Sequence, residues 1–139
     1  MQSDDTVIER FFRTFEANSN TTDTAAAVLQ FADVFIAAGP SGAQAVKASD
    51  FALALPKRRQ FFDSLGCRST RLVSLRVNPV DSRYVLAETR WQMTFAHEGG
   101  EDKQALADSV FLLDIGQILL YLAKQDLMEM LRQHGVLST

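Results

Sequence analysis

Two histidines, one cysteine and 17 carboxylates are the groups of this 139-residue chain with the means for acid–base, nucleophilic or metal chemistry. His97 sits in the turn-forming run His97-Glu98-Gly99-Gly100, and His134 stands just before Gly135, where a cation suits a helix C-terminus. Two separated histidines without a spaced carboxylate pair offer no recognisable ligand set, so neither a metal nor a cofactor is expected. Cys67 is the only cysteine, which leaves no intramolecular disulfide and no thiolate cluster. Arg68 beside it would favour a thiolate, but no histidine is near in sequence to complete a nucleophile pair, and Cys67 reads as structural. Phosphate-binding glycine loops and a nucleophile elbow are absent from the sequence.

Charge is more informative by segment than in total. The formal net charge is −3, yet residues 57–76 carry Lys57, Arg58, Arg59, Arg68, Arg71 and Arg76 against Asp63 alone, a net of +5. The stretches on either side, 1–56 and 81–139, each carry a net of −4. Lys57, Arg58 and Arg59 are adjacent, which on a helix spreads them over about 200 degrees rather than into one clamp. Acidic flanks and the lack of interleaved exposed aromatics make nucleic acid an unsuitable partner, and pairing with carboxylates of the domain or of a second subunit is the expected use of these charges.

Hydrophobic residues at 47% and charged residues at 22% fit a globular chain of one domain, taken here as residues 1–139. The longest strongly apolar runs, Val110 to Leu113 and Ile118 to Ala123, fall far short of the roughly 20 residues of a membrane helix. No membrane partner is expected, and the polar, acidic start predicts a cytoplasmic protein.

The elements that must position any site follow from periodicity. Val7, Ile8, Phe11, Phe12 and Phe15 are spaced as the stripe of an amphipathic helix over residues 4–17. A second helix is expected from Thr21 or Thr22, with Asp23 in its first turn, through Phe31, Phe35 and Ile36 to Gly39-Pro40. A short extended segment over 44–47 and a short turn through Phe51 and Leu55 lead to a third helix with Pro56 at its first position, ending at Gly66. The period then changes to two. Strands are expected over 72–77, 84–95, 104–115 and 117–123, with Asp126 opening a short terminal helix. Along the second of these strands Val85, Ala87, Thr89, Trp91, Met93 and Phe95 share one face; along the third, Ala107, Ser109, Phe111 and Leu113 do so. Helices first and an antiparallel meander afterwards is the order of an α+β domain.

This order, the segment Arg58-Arg59-Gln60-Phe61-Phe62-Asp63-Ser64-Leu65-Gly66 before the sheet, the long hairpin through Trp91 and Phe111, and the closing run Ile118 to Leu127 resemble the nuclear transport factor 2-like superfamily. That superfamily includes steroid isomerases, scytalone dehydratase and polyketide cyclases. The resemblance covers residues 6–137 and implies N-terminal helices packed on a curved antiparallel sheet, a cystatin-like cone, with a short C-terminal helix. It also implies a hollow cone binding a small apolar or aromatic ligand, lined here by Phe15, Phe35, Trp91, Met93, Ser109 and Phe111. An enzyme of isomerase, dehydratase or cyclase type would need a carboxylate in that cavity, for which the resemblance offers Asp108, with Asp50 or Tyr121 assisting. Phe11-Phe12-Arg13-Thr14-Phe15 departs from the isomerase pattern, because no tyrosine stands there. Fold alone does not choose among enzyme, binding domain and structural module.

A further expectation comes from the opposite parity of the strands. Leu86, Leu106, Val110, Leu112, Ile118, Leu120 and Leu122 alternate with the inner-face residues, too much apolar material for a solvated sheet surface. A homodimer through the sheet face is predicted.

Overall fold

The computed structural model describes residues 2–21, 24–97, 99–114 and 116–136. Thr22 and Asp23 of the expected second helix, Glu98 of the hairpin turn and Ile115 at the end of the third expected strand lie outside them. Helix α1 (Gln2–Ser19) and the short helix α2 (Thr24–Val28) lead into strands β1 (Phe31–Gly39) and β2 (Gly42–Lys47). Helix α3 (Ala48–Ser64) follows, then β3 (Cys67–Pro79), β4 (Tyr84–Phe95), β5 (Lys103–Asp114), β6 (Gln117–Ala123) and helix α4 (Leu127–Gln133). The six strands form one curved, unclosed sheet in the order β2-β1-β6-β5-β4-β3. Every pairing is antiparallel except β1 with β6, so the sheet is mixed.

The expected second helix is corrected to a strand. Residues 31–39 form β1, and the helical look of Phe31, Ala32 and Phe35 has a local cause. Between Phe31, opposite Ile118, and Ile36, opposite Leu120, β1 advances five residues while β6 advances two. Phe31 and Phe35, ring centroids 4.6 Å apart, would share a face in any strand; the irregularity buries Ala32 beside them and leaves Asp33 and Val34 exposed, and so writes a helix-like i, i+1, i+4 pattern into a strand. Pro56 is likewise inside α3 rather than at its start. Phe51 and Phe61 lie either side of it on partly buried ground, each packed on a different core cluster, so burial at both ends holds the helix continuous across the missing amide.

Two apolar clusters lie between sheet and helices. In the larger, Ile8 and Phe12 of α1 meet Phe35 of β1, Trp91 of β4, Phe111 of β5 and Ile118 of β6. The smaller joins Met93, Phe95 and Ala105 to Met130 and Leu131 of α4, so the terminal helix covers the far end of the β4–β5 hairpin. Asp126 accepts the Glu129 amide at 3.0 Å and caps α4 as the sequence predicts. Ile118 is a correction of parity. A register shift opposite Leu112 and Leu113 turns it inward and leaves Leu120 and Leu122 on the outer face. Val7, expected in the buried stripe of α1, is 56% exposed.

Gln30 and Arg59 fasten α1 to this frame. The Gln30 amide donates to the Phe11 carbonyl at 3.0 Å and accepts from Asn18 at 3.1 Å, while its backbone carbonyl accepts the Ile118 amide at 2.9 Å. Arg59 donates to the Asn18 carbonyl at 2.7 Å and to the Thr21 carbonyl, satisfying acceptors at the end of α1 where the helix dipole favours a cation.

Candidate functional site

The inner faces of β4 and β5 bring the expected pocket residues together. Thr89, Trp91 and Met93 project from β4 beside Ser109 and Phe111 of β5, in a register that pairs Thr89 with Ser109 and Ala87 with Phe111. The Trp91 indole Nε1 donates to the Thr89 hydroxyl at 2.8 Å, and that hydroxyl donates to the Ser109 carbonyl at 3.2 Å. Both polar groups are thereby satisfied inside the core, which fixes the indole in place.

Over this surface the helices lay rings rather than leave space. Phe15 sits 5.4 Å from Trp91 and 5.5 Å from Phe111 between ring centroids, and Phe12 sits 5.1 Å from Phe111. Phe35 packs with Phe31 and, at 5.3 Å, with Phe51 of α3. Five of the six predicted residues gather in this region, while Met93 belongs to the smaller cluster against Phe95. These rings occupy the region in which the sequence expects a hollow. Among the described residues, surface depressions of about 380 and 200 Å³ are lined by neither Trp91 nor Phe111.

The predicted acid–base groups do not meet in the interior. Asp108 lies on the outward face, one residue from buried Ser109, and takes Arg90 through both oxygens at 2.7 and 3.2 Å. Gln125 holds it further, donating to its carboxylate at 3.3 Å and accepting its amide at 2.9 Å. The Arg90 hydrogen bonds hold the Asp108 carboxyl below the usual aspartate range, opposite to the raised value a general acid needs. Asp50 is exposed in the first turn of α3. Tyr121 is half-buried with its ring 5.1 Å from that of Phe111. Among the described residues the buried polar side chains are Gln30, Thr89 and Ser109, with no carboxylate among them. The pocket-carboxylate expectation for Asp108 is therefore corrected to an outward ion pair. Strand alternation alone carries this result, because Asp108 has the parity opposite to Phe111.

Other groups singled out by the sequence have structural partners. Cys67 is half-buried, and that burial pushes its thiol up, away from the thiolate a nucleophile needs. His134 places Nδ1 2.8 Å from the Met130 carbonyl at the end of α4. Arg58 lies 5.0 Å over the Phe62 ring, and Arg68 meets Asp102 at 3.0 Å. No described helix is long and apolar enough to cross a membrane.

The outward face of the sheet is divided. Toward β3 and β4 it is charged: Arg76 meets Glu88 at 3.6 Å beside the Arg90–Asp108 pair, around a depression of about 200 Å³ that Lys124 also borders. Toward β5 and β6 it is apolar, with Leu106 41% exposed and Val110, Leu112, Leu120 and Leu122 half-buried.

Solved structures share this arrangement. A nuclear transport factor 2-like protein with a cystatin-like fold from Novosphingobium aromaticivorans superposes with a TM-score of 0.69 at 12% identity, over 95% of this chain and 87% of that one. The fold is nuclear transport factor 2-like. A protein of the same kind and unknown function from Shewanella oneidensis gives a TM-score of 0.68 at 13% identity, covering 90% of this chain and all of the other. A proposed polyketide cyclase from Pseudomonas putida gives 0.59 at 20% identity, over 89% and 95% of the two chains. Neither a family model nor a curated protein sequence matches the chain. Such identities carry the nuclear transport factor 2-like architecture and leave activity to this chain's own residues.

Proposed function

We propose that this nuclear transport factor 2-like domain is a dimerising protein-interaction module whose copies meet through the outward sheet face. The supporting observation is the apolar field of exposed Leu106 and half-buried Val110, Leu112, Leu120 and Leu122 on a sheet whose other face the helices already cover. A two-fold pairing sets this field against itself and flanks it with the Arg90–Asp108 pair. Sedimentation at micromolar concentration is the test. A dimer that Leu120→Asp dissociates supports the reading, and a 15.4 kDa monomer for the unaltered chain removes it. A cytoplasmic site of action without nucleic-acid or membrane partners belongs to the same proposal, and the lone Cys67 suits a reducing compartment.

A small apolar or aromatic ligand between helices and sheet is the second reading, favoured by the partial exposure of Phe15 and Tyr121 at the margin of the ring cluster. Entry there requires Phe15 to swing off Trp91. A bound ligand would then shift Trp91 emission and raise the Tm, and flat responses across steroid-like, polyketide-like and simple aromatic compounds would exclude it. Isomerase, dehydratase or cyclase chemistry draws no support from the site, since the acid it needs would have to come from outside the buried cluster.

A further inference from the structure

Strand β3 closes one end of the sheet, with β4 as its strand neighbour on one side only. An open edge of 13 residues invites pairing by another chain unless something covers it. Helix α1 and the residue that follows it cover the first part. The Asn20 side chain donates to the Thr70 carbonyl and accepts the Thr70 amide, both at 2.8 Å, as a neighbouring strand would, and Glu16 accepts the Leu72 amide at 2.7 Å. Among the described residues, these side-chain hydrogen bonds reach the β3 backbone at Thr70 and Leu72. At Val73 the register against β4 shifts. From there to Val77 the edge borders a groove of about 380 Å³ whose opposite wall is Glu9 and Arg13 of α1. Four strand steps along this edge measure about 13 Å, room for a short extended segment.

The side chains of β3 state what that segment should carry. On the outward face, opposite Gln92 and Glu88, stand Arg71 and Arg76. Arg71 is exposed and makes no ion pair with a described residue, and Arg76 is 75% exposed with its carboxylate partner 3.6 Å away. On the inward face, opposite Thr89 and Ala87, Leu75 and Val77 are half-buried against the main cluster. A strand laid beside residues 73–77 places alternate side chains next to Arg76 and next to Leu75 and Val77, with Arg71 just beyond its end, so carboxylates along and at the end of the strand would meet the arginines while apolar groups extend the packing of Leu75 and Val77.

We propose that the Val73–Val77 edge of β3 binds an extended acidic peptide of a partner protein by strand addition, with acidic and apolar residues in alternation. This site is separate from the apolar field on β5 and β6. The probe is a fluorescein-labelled five-residue peptide alternating glutamate with valine, titrated with the full chain and read by anisotropy. Saturable binding is expected, weakened about tenfold by Arg71→Glu with Arg76→Glu, a change of about 1.4 kcal/mol that two exposed ion pairs can supply between them. A version N-methylated on the amides of one edge should lose binding, because it cannot form the ladder, and this control leaves the protein unaltered. Absence of binding, equal binding of the N-methylated or lysine-for-glutamate peptide, or indifference to the double charge reversal would each overturn the proposal. Sedimentation of the same samples separates it from self-association: if the charge reversal abolishes a dimer and no peptide binds, the edge belongs to a second copy and the proposal fails.

Discussion

Replacing Phe15 by alanine separates a packed interior from a hollow one. The ring contacts Trp91 and Phe111 at centroid distances of 5.4 and 5.5 Å, with Phe12 and Phe31 just beyond 6 Å. Truncating a fully buried phenylalanine costs about 3–5 kcal/mol. Phe15 is half-buried, so the transfer and cavity contribution is about 2 kcal/mol, and the two closest ring pairs add about 1 kcal/mol between them. About 3 kcal/mol is a large share of the 5–15 kcal/mol that holds a typical domain. Urea unfolding followed by Trp91 emission reads it directly, as a lower midpoint at unchanged slope. The vacated volume has an apolar lining, so benzene should recover part of the lost Tm in the variant and leave the parent chain unmoved. A loss under about 0.5 kcal/mol would refute the reasoning, for it would mean that Phe15 does not rest on Trp91 and that the space between them is already open.

Arg59→Ala should lower stability by about 1–3 kcal/mol, because the carbonyls of Asn18 and Thr21 lose a charged donor; denaturant midpoints measure it, and Arg59→Lys should recover part. Gly66 joins α3 to β3 at φ +85, and a Cβ there would stand 3.0 Å from the Ala96 carbonyl oxygen. Gly66→Ala should therefore cost about 1–3 kcal/mol, read as a fall in Tm. The Arg90 hydrogen bonds lower the folded Asp108 carboxyl beneath its ordinary value of 3.8, so its contribution is full above that value and fades as pH falls through the lower folded one. Solvent around the partly exposed pair keeps that contribution small, and the stability gap between the parent chain and Asp108→Asn should close as the pH falls below 3.8.

Strand periodicity made much of the sheet legible. Alternation bounds β4 at Tyr84 and Phe95 and β6 at Gln117 and Ala123, where the structure has them, and it separates buried Trp91 and Phe111 from outward Arg90 and Asp108. It failed where a strand is irregular. At β1 the extra residues give a helical spacing, and at Ile118 a register shift exchanges the two faces. The state of the interior was not legible at all, because alternation says which side chains turn inward but not whether those of the helices fill the space opposite them. Phe15 answers that question from another element. The edge groove was equally hidden, since it depends on where Glu16 and Asn20, at the end of α1, stop reaching the strand, a matter of helix placement rather than of spacing along β3.

The parallel pairing of β1 with β6 has a consequence for the order in which the chain is made. Phe31 finds its partner at Ile118, and Ile36 finds its own at Leu120, each more than 80 residues further along the chain. During synthesis the β1–β2 hairpin therefore emerges well before the strand that will lie between it and the rest of the sheet. Until β6 leaves the ribosome, one side of β1 has an unpaired backbone beside the exposed rings of Phe31 and Phe35, and pairing across so long a loop is slow. Slower translation of the segment between β2 and β6 should change the soluble yield more than the same slowing ahead of β1. The nascent chain is open to wrong partners for as long as the residues between β2 and β6 are still being translated.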